Sequence, residues 1–338
     1  MRIAFIVNDV ATELSEYTTT RLAMASSKLE HEVWYVGLGD VDYEPDERIR
    51  ARGHRAVYEK SDDLASYLER AQDDERQGGI VLEEFDAVWL RSDSIEELHE
   101  RPWAMGIAVV FGQMLKARGV TVVNDPVGLS RAVSKLYLQE YPARVRPRSI
   151  ISRHSEEITD FVERCGRAVM KPLYGAKGRN VFIIQEADDP NLSQMLEAIL
   201  EDGYAIVQEF VPGAEDGDMR MFLLDGEVLE QDGHFAAFKR VPTGTDLRAN
   251  ISTGGKPVEA QPTETEFEIA RAKKDQLKKD DMFLVGIDII GDKVVEINAE
   301  SPGGLQSVEV FTGIDFGLTI CEALERRVQA GSSTTTGI

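Results

Sequence analysis

Two β-branched runs, Phe283-Leu284-Val285-Gly286-Ile287-Asp288-Ile289-Ile290 and Lys293-Val294-Val295-Glu296-Ile297-Asn298, flank Gly291-Asp292 and read as a hairpin. If Gly291 to Lys293 forms a three-residue turn, Asp288 lies directly opposite Glu296. Asn298 then falls on the same face two residues further on, because side chains alternate along a strand. Facing carboxylates repel. A divalent cation between them removes the conflict, and an all-oxygen set suits Mg²⁺ carried in with nucleotide phosphates rather than zinc. A two-residue turn would put both acids in water instead, and spacing alone leaves the two registers open.

Lys171 closes an apolar run and precedes Pro172-Leu173-Tyr174-Gly175-Ala176-Lys177-Gly178-Arg179-Asn180. A loop with two glycines and cationic or amide side chains can wrap phosphates with backbone N–H groups and charge. It has neither the Walker spacing nor the dinucleotide fingerprint, so an ordinary turn between strands stays open on these residues alone. Gln208-Glu209-Phe210-Val211-Pro212-Gly213 ends a strand at a Pro-Gly break. That is either a hinge whose backbone pairs an adenine edge or the end of a core strand. Asp218-Met219-Arg220, Lys239-Arg240-Val241-Pro242, Arg248-Ala249-Asn250 and Gly254-Gly255 gather cations and an amide in a segment rich in Gly and Thr. A solvated loop would look similar, but cations collected in a chain of net charge -22 favour an anion nearby.

The whole chain limits what these residues can serve. At 338 residues it is long enough for two domains, and with 42% hydrophobic and 29% charged residues it is neither disordered nor fibrous. Acids outnumber bases 60 to 38 and no Lys/Arg run is long, so nucleic acid and anionic membranes are poor partners. Cys165 and Cys321 stand far apart in no metal-ligand spacing, which points to a reducing compartment without a disulfide framework. The weakly polar run from Gly106 to Leu115 is too short to span a bilayer, and the start, Met1 to Val7, lacks a signal-peptide pattern. A cytoplasmic protein is expected.

Positioning falls to two kinds of architecture. Ile3 to Val7, Thr19 to Glu30 and Glu32 to Val36 read as strand, helix, strand; Phe85 to Leu90, Trp103 to Arg118 and Val120 to Asn124 repeat the pattern. An α/β N-terminal domain with an open parallel sheet follows, over residues 1–125. Asp40 to Gly79 reads as irregular structure with a helix near Asp63 to Arg76. Beyond the Asn124-Asp125-Pro126 turn, Gly128 to Glu140 is helical. Ser155 to Cys165 is a helix capped at Ser155 with Glu156-Glu157 in its first turn. Strands over Ala168 to Lys171, Val181 to Gln185 and Ala205 to Phe210, with a helix from Pro190 to Leu200 between the last two, lead into further strands to Ile297. The rest is therefore α+β on antiparallel sheet. The Ser/Thr-rich 331–338 tail is expected to be disordered.

Together the pieces resemble the ATP-grasp superfamily and, within it, the prokaryotic glutathione synthetase family. The resemblance is carried by Ser134-Lys135-Leu136, Met170-Lys171-Pro172-Leu173, Gly175 to Gly178, Gln208 to Pro212 and Asp216-Gly217-Asp218-Met219-Arg220. It continues through Lys239 to Pro242, Leu247-Arg248-Ala249-Asn250, Gly254-Gly255, Val285 to Asp292, and Glu296-Ile297-Asn298 with Ser301-Pro302. Order and spacing match over nearly the whole chain.

The resemblance implies an ATP-grasp fold after the N-terminal domain, with two α+β subdomains clamping ATP. Residues 126–207 would form the central lid and 208–330 the catalytic subdomain. Lys135 and Lys171 would hold the ATP phosphates, and Gly175, Ala176, Lys177 and Gly178 would cover them. Glu209, Phe210 and Val211 would meet adenine and Asp218 the ribose. Asp288, Glu296 and Asn298 would hold Mg²⁺, as two ions, with Mn²⁺ as a substitute. Arg220, Arg240, Arg248 and Asn250 would steady the transferred phosphate and the acyl substrate. Gly254, Gly255, Ser301 and Pro302 would border the acceptor pocket, and Arg91 would meet the dipeptide. The implied reaction is ADP-forming ligation of γ-glutamylcysteine and glycine through an acyl phosphate, in a homo-oligomer, dimer or tetramer.

Two stretches depart from the family pattern. Tyr174 to Arg179 is more basic than the usual phosphate loop, and Gly303-Gly304-Leu305-Gln306 follows Pro302 where the family commonly has Thr. They leave room for a related ligase with another donor or acceptor, such as a glutamate-adding ligase. A nucleotide-binding regulator without turnover is a further alternative, disfavoured by the intact acid pair and cation set.

Overall fold

The computed structural model describes residues 1–97, 100–175, 180–201, 203–243 and 254–335. β1 (Arg2–Val7) is buried on both faces, the signature of a central parallel strand. It is followed by α1 (Thr18–Lys28), β2 (Glu32–Tyr43), β3 (Ile49–Ala56), α2 (Leu64–Ala71), β4 (Gln77–Val81), β5 (Ala87–Leu90), α3 (Ile107–Ala117) and β6 (Thr121–Val123). The sheet order is β4-β3-β2-β1-β5-β6. β2, β1, β5 and β6 pair in parallel, whereas β3 runs antiparallel to β2 and β4.

The segment read as irregular thus adds two antiparallel strands to one edge of the parallel sheet. β3 escaped notice because its buried positions are filled by small or polar residues, Ala51, Gly53 and His54, between outward arginines.

Past β6, α4 (Pro126–Ala132) starts at Asp125, whose carboxylate accepts from the N–H groups of Val127 and Gly128. A short 3-10 helix, Lys135–Glu140, follows. The second sheet holds β7 (Ser149–Ser152), β8 (Ala168–Pro172), β9 (Phe182–Ile184) and β10 (Ala205–Glu209) in the antiparallel order β7-β10-β8-β9. α5 (Ser155–Cys165) and α6 (Leu192–Glu201) cover it. Ser155 is the first helical residue of α5 rather than its cap; His154 stands at the cap position without a side-chain bond. This sheet and its helices enclose a core of their own, built on Ile158, Val162, Met170, Leu196, Ile199 and Val207.

The third sheet is formed by β11 (Asp218–Leu224), β12 (Glu227–Val228), β15 (Ala237–Val241), β16 (Lys256–Val258), β17 (Leu284–Ile290) and β18 (Lys293–Asn298). Its path is β16-β15-β11-β17-β18, with β12 folded back on β11. A separate small pair, β13 (Glu230–Gln231) and β14 (His234–Phe235), lies between β12 and β15 in the chain. Helices α7 (Glu264–Arg271), α8 (Lys274–Lys279), α9 (Leu305–Thr312) and α10 (Phe316–Thr335) complete it.

Unlike the second sheet, the first and third share cores. Trp89 of β5 meets Phe283 edge-on with ring centroids 5.5 Å apart, and both larger apolar clusters draw on both sheets.

Three expected boundaries move. β10 ends at Glu209, so the limit at 207 cuts through a strand. Residues 126–147 pack against α3 and β18 rather than on the second sheet. α10 runs to Thr335, so the described part of the tail is helical instead of disordered.

Candidate active site

The three sheets open onto one cleft of about 1480 Å³. Its wall from the first sheet comes from the residues just past β1 and β5, the carboxyl ends of parallel strands where α/β sheets present ligand-binding loops. The opposite walls are β8, β10 and the β17–β18 hairpin.

The hairpin turns in two residues, with Ile290 facing Lys293 and Ile289 facing Val294. That is the register that would have sent the acids into water. A bulge at Val295 inserts one residue, and Asp288 is returned to its place opposite Glu296. The extra residue leaves its carbonyl outside the ladder, and Lys171 Nζ reaches it at 3.4 Å. One irregularity therefore re-aims an acid and supplies an acceptor.

Repulsion between the two acids is not what organises the site. Asp288, with its side chain 1% exposed, is held by Arg220 through Nε and, at 2.9 Å, Nη2, and by Arg240 Nη2 at 2.7 Å. Burial opposes its charge, but the two guanidinium groups overcome it and keep the carboxyl well below the usual range. Arg240 also donates to Asp218 at 2.7 Å. Burial and the Asp288 charge push Asp218 up to about 6, with Arg240 opposing.

Asp218 is thus committed to a buried ion network, and its Oδ1 is not free for a ribose. The network needs glycine at 217: its φ is 95°, and a Cβ there would lie 1.9 Å from the Arg240 carbonyl oxygen. Glu296 is the more open acid, its side chain 30% exposed and 3.8 Å from Lys135 Nζ. Asn298 Nδ2 lies 3.4 Å from Asp288 Oδ2. Asp288, Glu296 and Asn298 all line the cleft, and Glu296 presents an open carboxylate of the kind a hard cation such as Mg²⁺ takes, whereas both Asp288 oxygens are engaged by Arg220 and Arg240 and Asn298 turns its amide nitrogen toward Asp288.

Lys135 and Lys171 approach one another at the base of the cleft. Burial lowers the Lys171 pKa, Glu296 opposes this and Lys135 adds to it. Lys135 Nζ donates to the Gly175 carbonyl, which brings the start of the glycine loop to the lysines. Ala176, Lys177 and Gly178 lie outside the described residues.

At the hinge, the Phe210 N–H is taken by the Arg167 carbonyl at 2.9 Å, and the Phe210 ring is covered by the Arg167 guanidinium at 3.6 Å. The Glu209 carboxylate accepts from Arg148 N and Nε at 2.9 and 2.6 Å. The N–H of Val211 makes no hydrogen bond to a described residue.

At the other end, Arg91 is 3% exposed and donates from Nε to Thr19 Oγ1 at 3.1 Å and from Nη2 to the Pro302 carbonyl at 3.3 Å. Arg220 Nη1 donates to the Gly303 carbonyl at 3.0 Å, so the loop after β18 is clasped by an arginine from each side. Ser301 lines the cleft and Pro302 lies buried behind it. Gly254 and Gly255 sit ahead of β16, beside Thr243, and do not line the cleft. Arg248 and Asn250 lie outside the described residues.

Sequence reasoning passed over Glu13, Asp93 and Glu300, which line this end. Ser94 donates to Glu300 at 2.6 Å, while burial and Asp93 push Glu300 up to about 8. Glu300 follows the end of β18 by two residues, and like the other two it comes from a loop, where no period marks it.

Comparison with known proteins divides the chain near residue 130. The prokaryotic glutathione synthetase N-terminal domain matches residues 1–130, and the ATP-grasp domain of the same family matches residues 134–313. Glutathione synthetase of Synechococcus elongatus is 31% identical over 98% of this chain and 100% of its own length. That of Vibrio cholerae is 28% identical over 98% and 99%. Among solved structures, D-cycloserine synthetase DcsG superposes with a TM-score of 0.66 at 16% identity, covering 96% of this chain and 99% of its own. The ATP-grasp ligase PsnB, complexed with minimal precursor, Mg and ADP, does so with 0.57 at 15%, covering 96% and 98%.

Proposed function

Since the chain belongs to the prokaryotic glutathione synthetase family, we propose that it joins the cysteine carboxylate of γ-glutamylcysteine to the amine of glycine while ATP becomes ADP and phosphate. The donor carboxylate attacks the γ-phosphoryl group, an acyl phosphate forms, and the glycine amine displaces phosphate from it. Such chemistry is governed by positioning and by stabilisation of spread negative charge.

Lys135 and Lys171 meet the phosphates, and the Val211 N–H meets the base. Arg220 and Arg240 are already fixed by Asp288 and Asp218, so their charge reaches the transferred group without reorganisation. Arg248 and Asn250 act on the same group in this reading. Arg91 holds the dipeptide, and Ser301 bounds the acceptor side with Pro302 packed behind it. Asp288, Glu296 and Asn298 would hold Mg²⁺, two ions in this reading with Mn²⁺ as a substitute, with Glu296 giving the open carboxylate and Asp288 sharing oxygens it already gives to the arginines; the metal would supply further charge neutralisation on the phosphates. The enzyme works as a cytoplasmic homo-oligomer. Both cysteines are free, and no described helix is long and apolar enough to cross a membrane.

The observation that carries the proposal is the meeting, at one end of a single cleft, of two lysines from different walls with an arginine-clamped aspartate and an open glutamate. The test is ADP release and peptide formation over a panel of donors and amines. ADP and glutathione should appear in equal amounts with γ-glutamylcysteine and glycine. Turnover confined to another donor or amine overturns the substrate assignment, and no ADP with any pair overturns the ligase assignment for this site.

A further inference from the structure

Glu13 and Arg91 form an unsatisfied pair at the first-sheet end of the cleft. Glu13 directly follows the 3-10 turn Val10–Thr12, and Gln72 Nε2 pins that backbone by donating to the carbonyls of Val10 and Glu13 at 2.8 and 3.1 Å. The Glu13 side chain is held where it is, 8% exposed on the cleft wall, and its Oε2 is buried without a hydrogen-bond partner among the described residues. Arg91 spends two of its donors on Thr19 and Pro302, and no carboxylate among the described residues lies within ion-pair distance of it.

The two charges feel each other, because Arg91 works against the rise in the Glu13 pKa, yet they do not touch. A buried anion lacking a donor and a buried cation lacking an anion, both lining one cleft and near enough to influence each other's charge, are costly apart and cheap once bridged. What bridges them is a molecule with an ammonium and a carboxylate on neighbouring atoms.

We propose that Glu13 receives the ammonium group, and Arg91 the carboxylate beside it, of an α-amino acid head group on the acyl donor, so that Glu13 selects donors that carry a free α-amine. This rests on the ligase reading above and deepens it by naming the part of the donor that is recognised. The surroundings agree with a cation arriving here. Asp9, Glu16, Asp93 and Glu96 line the same end, and Arg101 is occupied by Glu97 at 2.6 and 2.8 Å. Burial pushes the Glu13 carboxyl up to about 7, so the ligand-free site has no strong hold on its own charge, and an arriving ammonium supplies the missing donor.

The test compares γ-glutamylcysteine with glutaryl-cysteine, which lacks only the amine. In the wild-type enzyme kcat/KM should favour the amine-bearing donor roughly 10- to 100-fold, mainly through KM, as a hydrogen-bonded charge pair requires. Glu13→Gln should bring the two donors together by raising KM for γ-glutamylcysteine far more than for glutaryl-cysteine. Equal losses on both donors would mark Glu13 as merely structural, and an unchanged ratio would remove it from the site; either overturns the proposal. Calorimetric binding of the two donors to wild type needs no variant, and equal affinity again overturns it. If wild type turns over neither donor, the substrate reading has failed separately. The head-group assignment then stands on tighter binding of the amine-bearing compound, and falls if binding is equal or absent.

Discussion

Asp288 and Glu296 face each other across one hairpin yet do different work. Asp288 neutralises two buried arginines, so Asp288→Asn should cost about 3–5 kcal/mol of stability, the penalty of leaving buried charge uncompensated. Glu296 is far more open, and Glu296→Gln should leave the urea midpoint nearly unchanged while abolishing Mg²⁺-dependent turnover. Near-normal activity of the Gln variant at ordinary Mg²⁺ would remove Glu296 from the metal set. Glu13 gives a second contrast at this scale. Its carboxyl rises from 4.5 to about 7 on folding, because burial outweighs Arg91; Tyr17 and Tyr35 beside it are themselves raised and stay neutral. A raised acid favours the folded state while protonated, so stability is lost as pH rises from the unfolded value through 7. Relative to wild type, Glu13→Gln should therefore be neutral near pH 4 and more stable by up to about 3 kcal/mol at pH 8.5. Urea unfolding at the two pH values reads the difference; a gap that does not widen with pH refutes the burial account.

At the scale of elements, Asn124 shows how the first sheet is fastened to the third. It lies just past β6, 2% exposed, and its amide donates to the carbonyls of Leu284 and Ala299 at 2.8 and 2.7 Å while accepting from the Leu284 N–H at 2.7 Å. Asn124→Ala would strand three buried backbone groups and should cost about 2–4 kcal/mol in chemical denaturation; a loss below 1 kcal/mol would mean that water replaces the amide. Sequence marked Asn124 only as a turn residue, because a turn signal is local and its three partners lie 160 or more positions away. The same limit explains the rest. Apolar strands such as β1 and β8 and the segment of α5 were legible from period and composition. β3 and β4 were not, since Gly, Ala and His hold most of their buried positions and Ile49 and Ile80 alone mark the apolar face. The opposition of Asp288 and Glu296 was reached through the wrong turn, because a bulge obeys tertiary packing and leaves no mark in the alternation of Val294, Val295 and Glu296. Arg220 and Arg240 were legible as cations, but their partners were not: Asp288 faces Arg220 only once β11 and β17 have paired.

The whole molecule consists of a large body, in which the first and third sheets share cores, and a second sheet with a core of its own. Chain enters that sheet at Ser149 and leaves it at Glu209, and Ser149 pairs with Gln208, so both connections pass side by side at one end. Two adjacent strands crossing out of an otherwise independent unit form a hinge, and Arg148 bound to Glu209 closes it. Lys171 lies on the moving side and touches the Val295 carbonyl on the fixed side, so an anion held between Lys171 and Lys135 bridges the two bodies. Nucleotide should then suppress opening of the second sheet beyond its effect elsewhere. At a nucleotide concentration of 100 times Kd the linkage is worth about 2.7 kcal/mol, roughly a hundredfold in the open population. Hydrogen exchange should slow by up to that factor in peptides from β8 and β10 when ADP and Mg²⁺ are added, and change little in β1, whose protection comes from the shared core. Lys171→Met should fold normally, since it replaces a half-buried cation by an apolar side chain of similar length, yet lose most of the nucleotide-dependent slowing. Uniform slowing across β1, β8 and β10, or full slowing in the Met variant, would mean that the second sheet does not open as a unit around the nucleotide.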